Sequence, residues 1–322
     1  MLLGFDIGGT KCAVILGKQN GEHSMDIVDK VLVPTNRPVY EMIHYLFETG
    51  EALLQKHGIP FEQVPGIGIS CGGPLSSRKG LILSPPNLPG WDEIPIVGLA
   101  REKFGRPTLL QNDANACAMA EWKYGAGKGL DSLIFLTFGT GMGAGLILDG
   151  RLYSGSNDFA GEVGHLRLAD MGPVGFGKAG SFEGYCSGGG IAQLAQIMVR
   201  EQLQVGQPVS FCEKMEDLPR LTAKGVAEAA YAGDILALEI YKTCGQFLGK
   251  GLSILIDVIN PEMIILGSIY GRARDLLEPT MNAVIAREAL SHSREVCRIV
   301  PAQLGEHIGD IAALSLAAAV SR

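Results

Sequence analysis

Leu133-Ile134-Phe135-Leu136-Thr137-Phe138-Gly139-Thr140-Gly141-Met142-Gly143 is an apolar run that ends in glycines and hydroxyls, and a second apolar run, Leu146-Ile147-Leu148, follows it. The same design opens the chain, as Leu2-Leu3-Gly4-Phe5-Asp6-Ile7-Gly8-Gly9-Thr10-Lys11 leading into apolar residues from Cys12. Setting Thr137 opposite Asp6 aligns strand with strand and turn with turn. Glycine has no Cβ, so each turn can bend sharply and bring backbone N–H groups close to a ligand. Such N–H groups attract anions, and Thr10 and Lys11 add a hydroxyl and a positive charge. A single turn of this kind equally describes a β-hairpin that binds nothing. Two copies predict a duplicated α/β fold with a ligand held between the halves, each turn gripping a phosphate of one nucleotide.

Working outward, 322 residues suit two domains or one large α/β unit. Hydrophobic residues make up 47% of the chain and charged residues 19%, which supplies a core and excludes disorder. A net charge of −7, with no basic run longer than Arg78-Lys79, argues against nucleic acid and against an acidic membrane surface. No apolar run approaches the ~20 residues that span a bilayer, and no leader pattern opens the chain. The seven cysteines form no C-x-x-C pair and read as reduced, mostly buried thiols. A cytoplasmic protein is expected.

Between the two glycine turns, Val31–Val33 reads as a third strand and Tyr40–Lys56 as a helix, with Ile43, Leu46, Leu53 and Leu54 at helical spacing. Gly66–Ser70 reads as a strand buried on both faces. Ser84–Trp91 carries three prolines and must be a loop, either lining a pocket or serving as a stiff connector anchored by Trp91. Pro107–Gln111 reads as a strand and Ala114–Tyr124 as a helix. Asp113 therefore stands where a strand gives way to a helix, either as an N-cap or as a carboxylate facing a crevice. Beyond the second turn, Glu162, His165 and Glu183 lie among glycines and suit the hydroxyls of a polyol, or are ordinary loop charges and a structural histidine. Helices are expected over 188–200, 221–236, 236–257 and 309–320, and strands at 263–269 and 298–300.

Taken together, these motifs resemble a sugar kinase of the ROK family (repressors, open reading frames and kinases), a glucokinase-like member of the actin/hexokinase-like ATPase superfamily. The likeness covers nearly the whole chain in order: Asp6–Lys11, Gly66–Pro74, Asn87–Trp91, Asn112-Asp113-Ala114-Asn115, Thr137–Gly143, Glu162-x-x-His165 and the turn at Gly267. It implies a two-domain ribonuclease H-like, actin-like fold with duplicated mixed sheets and an interdomain cleft. The small domain would span 1–113, completed by a C-terminal helix at 309–322, and the large one 114–308.

The resemblance also implies roles. Asp113 would be the general base, and Asn87, Asn112, Glu162, His165 and Glu183 would bind the sugar. Gly8, Gly9, Thr10, Lys11, Thr137, Gly139, Thr140, Gly141 and Gly143 would hold ATP, Gly267 would lie near the adenosine, and Asp6 would face Mg²⁺ through water. The expected reaction is ATP-dependent phosphorylation of a hexose, glucose first, at its terminal hydroxyl. N-acetylmannosamine, N-acetylglucosamine, fructose and allose are alternative sugars, and a non-catalytic sugar-responsive regulator is the rival class. The start at Met1 so close to Asp6 argues against a preceding DNA-binding helix-turn-helix. A homodimer is the expected assembly.

One departure stands out. Many members of the family place three cysteines after the histidine to bind structural zinc, and here those positions are Val174, Phe176 and Ser181. No zinc is expected, and Val174 and Phe176 are expected to pack apolarly where the metal would sit.

Overall fold

Leu2–Ile7 (β1) and Lys11–Gln19 (β2) pair antiparallel with Ile7 opposite Cys12, so the first glycine turn is the tip of a hairpin. The computed structural model describes residues 1–320. Met25–Pro34 (β3) extends the hairpin on one side, and Ile67–Cys71 (β4) and Thr108–Asn112 (β5) continue the sheet in parallel on the other, giving the order β3-β2-β1-β4-β5. A second sheet repeats the plan. Leu133–Leu136 (β6), Ala144–Leu148 (β7) and Arg151–Tyr153 (β8) precede Met263–Leu266 (β9) and Arg298–Pro301 (β10), in the order β8-β7-β6-β9-β10. In both sheets three consecutive strands come first and two more are added later by crossover, which is the duplication that the paired turns predict.

Strand alternation decides what β1 offers to each face. Leu3, Phe5 and Ile7 belong to a core shared with helices α1 (Val39–Lys56) and α2 (Ile96–Phe104). There Phe5, Phe47 and Phe104 meet one another with ring centroids 5.3–6.0 Å apart, a range in which aromatic pairs attract. Gly4 and Asp6 take the opposite face, against the C-terminal helix that starts at Ile308. A Cβ on Gly68 of β4 would overlap the backbone of that helix at Ala313, so the sheet and an alanine-rich helix approach with almost nothing between them.

The remaining helices that matter here are α3 (Asp113–Tyr124), α4 (Gly188–Gln204), α5 (Ile235–Ile259), α6 (Ile269–Glu288) and α7 (Ile308–Val320). Of the C-terminal helix expected over 309–322, the last two residues lie outside the described residues. By contact the chain divides into one unit of 1–135, 145–160 and the segment from Gln303, and a second of 136–144 and 161–302. Among the described residues no helix is long and apolar enough to cross a membrane.

Candidate active site

The candidate residues divide between the two units. Asp6, Gly8–Lys11, Asn87, Asn112 and Asp113 belong to the first, and Thr137–Gly143, Glu162, His165, Glu183 and Gly267 to the second.

In the first unit the glycine turn is held by its carbonyls. Thr35, just past β3, donates its hydroxyl to the Gly8 carbonyl at 2.7 Å and its N–H to the Thr10 carbonyl at 3.1 Å. Cys12 Sγ also reaches the Gly8 carbonyl. Among the described residues, the N–H groups of Gly8, Gly9 and Thr10 donate to nothing. Polar backbone groups left unpaired in a partly buried turn call for an external acceptor. Gly9 has a further duty, because a Cβ there would overlap the Asn87 carbonyl. The proline-rich loop thus lies against the turn, with Trp91 buried as its anchor and Asn87 exposed.

Asp6 sits on the face of β1 that meets α7. A Cβ on Gly309 would come 3.1 Å from Asp6 Oδ2, so the carboxylate lies against the first turn of that helix. A helix N-terminus favours a carboxylate anion, but burial outweighs it. Burial first, and then the negative charges of Asp113 and Asp310, push the Asp6 carboxyl up to about 7, while Lys30 and a hydrogen bond from Ser70 pull the other way. Lys30 is already committed, its Nζ lying 2.6 Å from Asp310 Oδ1. Asp6 and Asp113 form an acidic pair in which each charge opposes the other. Among the described residues no three metal-ligating side chains cluster. The donor set therefore fits Mg²⁺, which keeps its waters and needs only one or two carboxylates beside phosphate oxygens.

The N-cap of α3 is Asn112, not Asp113. Asn112 Oδ1 accepts from the Ala114 N–H at 2.9 Å and more weakly from Asn115 at 3.4 Å. Asn112 is itself oriented by its own N–H, which donates to Gln111 Oε1 at 2.9 Å. Asp113 stands in the first helical turn, exposed, with Oδ1 accepting from the Ala114 N–H at 2.8 Å. With the cap supplied by its neighbour, its second oxygen is not needed to start the helix.

In the second unit the glycine turn is held through N–H groups instead. Thr137 Oγ1 accepts from the Gly143 N–H at 2.8 Å, and Glu183 Oε2 accepts from the Met142 N–H at 2.9 Å. The Gly139 N–H turns inward to the Gly141 carbonyl at 3.2 Å, and the Gly188 N–H at the start of α4 donates to the Gly139 carbonyl at 2.7 Å. Thr140 and Gly141 are left as adjacent N–H groups that donate to nothing among the described residues. Thr137, Gly139 and Gly143, expected to bind phosphate, also tie the turn shut around that pair. Glu183, expected on the sugar, also braces the turn, and a Cβ on Gly141 would come 2.8 Å from its Oε2.

Gly267 donates to the Leu136 carbonyl at 3.0 Å, and Ile269 to that of Phe138 at 2.9 Å, so the start of α6 is stitched to the second turn. Ser268 between them has φ +48° and ψ −103°, a backbone region that side chains avoid. Glu162 is exposed and precedes a single helical turn, Val163–His165, whose His165 is half-buried. The expectation that Val174 and Phe176 pack apolarly is not met, since both are exposed. They belong to a two-residue hairpin whose short strands leave no layer to bury them. Ser181 is buried and caps the one-turn helix Phe182–Tyr185 by accepting from the Gly184 N–H. Thr35 and Ser268 carry no local sequence signal and were absent from the expected set.

Comparison with known proteins agrees with this architecture. The family model described as ROK family matches residues 2–320. A glucokinase of Halalkalibacterium halodurans is 30% identical over 313 residues, covering 96% of this chain and 92% of its own. The solved ROK hexokinase of Thermus thermophilus shares 28% identity at a TM-score of 0.79, covering 99% of this chain and 98% of that one. A ROK family glucokinase from Streptomyces griseus, solved in complex with glucose and AMPPNP, shares 26% identity at a TM-score of 0.77, covering 99% of each chain. With two mixed sheets of one plan and a family match over nearly its whole length, the chain belongs to the ROK family.

Proposed function

We propose that the protein is an ATP-dependent hexose kinase that phosphorylates the terminal hydroxyl of its sugar to give a sugar 6-phosphate. The observation that carries this reading is the pair of glycine turns, each fully braced yet each leaving adjacent N–H groups undonated. Two prepaid anion sites suit a nucleotide polyphosphate better than any single anion. The glucokinase relatives make glucose the first sugar to test.

In this reading Asp113 accepts the proton of the attacking hydroxyl through the oxygen that Ala114 does not hold. Such proton transfer contributes roughly 10²–10⁴-fold. Asn87, Asn112, Glu162, His165 and Glu183 orient the sugar, and Gly8–Lys11, Thr140 and Gly141 hold the phosphates, with Gly267 beside the nucleoside. Asp6 would hold Mg²⁺ through water, and that ion, when bound, neutralises phosphate charge. Positioning of this kind supplies most of the catalysis in phosphoryl transfer.

Purified protein with ATP, Mg²⁺ and a panel of glucose, mannose, fructose, allose and the N-acetylhexosamines tests the reading. Sugar-dependent ADP release that Asp113→Asn abolishes is the expected result. Sugar binding with no turnover on any of them would replace the kinase with a sugar-responsive regulator.

A further inference from the structure

The hairpin Val174–Ala179 turns through Phe176 and Gly177, whose φ values are +41° and +76°. Two left-handed residues at the tip of a two-residue hairpin call for asparagine, aspartate or glycine. Gly177 complies, whereas a bulky ring at φ +41° is costly. Burial does not repay that cost, because Phe176 is 71% exposed. What the ring does meet is the imidazole of His165, edge to face, with centroids 5.4 Å apart and planes at 84°. The same hairpin reaches the His165 main chain, Lys178 Nζ donating to its carbonyl at 2.6 Å. The hairpin is itself anchored, since Val174 and the Gln193 amide exchange two hydrogen bonds of 2.9–3.0 Å.

We propose that this hairpin is a clamp that sets the orientation of His165, with Phe176 fixing the imidazole plane and Lys178 the backbone. The inference rests on the reading of His165 as a sugar contact. A hydroxyl is bonded well only by a ring nitrogen held at a set angle, and an edge-to-face neighbour limits rotation of the ring. Backbone strain that burial does not explain is characteristic of a residue kept for its side chain. Phe176 and Lys178 are therefore positioning residues that govern sugar affinity and leave nucleotide affinity alone.

The test compares Phe176→Gly, Phe176→Tyr, Lys178→Met and His165→Ala with the parent enzyme. Phe176→Gly should raise the sugar KM about three- to tenfold, the worth of one aromatic pair. The ATP KM should not change. Its melting temperature should stay within about two degrees of the parent, because relief of the left-handed backbone offsets the extra chain entropy of glycine. The His165 ring protons should shift as the neighbouring ring current disappears, and Phe176→Tyr should restore both shift and KM. Lys178→Met should raise the sugar KM in the same sense. A raised sugar KM in His165→Ala beside a parental one in Phe176→Gly overturns the clamp alone. An unchanged sugar KM in His165→Ala overturns the sugar role of His165, and the clamp with it.

Discussion

Gly8–Thr10 joins its strands in three residues and is held by its carbonyls, whereas Thr137–Gly143 takes seven and is held largely by its N–H groups. In the short turn the hairpin register already fixes the chain, so a single threonine across the carbonyls is enough. The long turn has no such register. It uses four of its own N–H groups, bonded to Thr137 Oγ1, Glu183 and two of its own carbonyls, to present two others. The electrostatic setting differs as well. The first turn stands beside the acidic pair Asp6 and Asp113, while the second has one carboxylate, Glu183, already hydrogen-bonded. In the proposed kinase, the first turn is therefore the side that needs a cation and the second the side that offers donors alone.

The sharpest way to break this comparison is at Asp6. Asp6→Asn should lower turnover by two or more orders of magnitude while leaving sugar binding nearly intact, since the metal-side charge is lost without loss of shape. Isothermal titration with sugar alongside the ADP-release assay separates the two, and lost sugar binding would return the turn to a structural role. The same residue sets a pH dependence. Its folded pKa of about 7 lies above the unfolded value of 3.8, so the protonated form is favoured by folding. The stability it contributes is present below about pH 4 and lost as the pH rises through 7, by at most a few kcal/mol. Metal-free protein should accordingly melt lower at pH 8 than at pH 5.5, and Asp6→Asn should flatten that slope.

Glu183 comes next. Glu183→Ala removes the acceptor of the Met142 N–H and should raise the ATP KM about tenfold, the consequence of a buried donor left unmade. Glu183→Gln keeps an acceptor and should recover most of it. If the sugar KM moves in both variants and the ATP KM in neither, the carboxylate serves the sugar and the bracing is incidental.

The features that could be read from the sequence and those that could not follow the same division. Hairpin and turn were legible at Leu2–Lys11 because apolar strands flank residues that lack Cβ or carry a hydroxyl, all within one short stretch. The second copy made the duplicated sheets legible too. What holds the turns was not, because the braces come from far along the chain: Thr35 lies outside the first motif and Glu183 is 41 positions from its partner Met142. Asn112 took the cap that was one of two roles open to Asp113, because both residues suit it and only geometry decides between neighbours. Helices α2 and α6 escaped periodicity; α6 carries Pro279 and a kink at Ala273 that blur its apolar stripe. The exposure of Val174 and Phe176 was likewise invisible, since hydrophobicity reports what can be buried and not whether a layer exists to bury it.

Thr35 should show a smaller effect than Glu183. Thr35→Ala removes the hydroxyl that holds the Gly8 carbonyl, a bond worth about 1 kcal/mol, and the ATP KM should rise about fivefold. The Thr35 N–H remains on Thr10, so the turn should not collapse. Thr35→Ser should restore the parent value, and a loss that serine cannot rescue would assign the effect to packing of the methyl group.

The smallest effect is expected at Ser268, where the comparison becomes one of strain rather than bracing. Among the described residues only the second turn has such a neighbour: Ser268 Oγ would come within 3.8 Å of a Cβ on Gly139, and its backbone is held at φ +48° by the flanking bonds from Gly267 and Ile269. Glycine adopts that conformation without the side-chain penalty, so Ser268→Gly should raise stability by about 1 kcal/mol, measured by denaturant unfolding. Because the bonds from Gly267 and Ile269 are main-chain bonds, they survive the substitution and keep the Thr140–Gly141 donors in place. The ATP KM should therefore change by less than about threefold. Lower stability in Ser268→Gly would mean that the hydroxyl, not the strained backbone, is what this position is kept for.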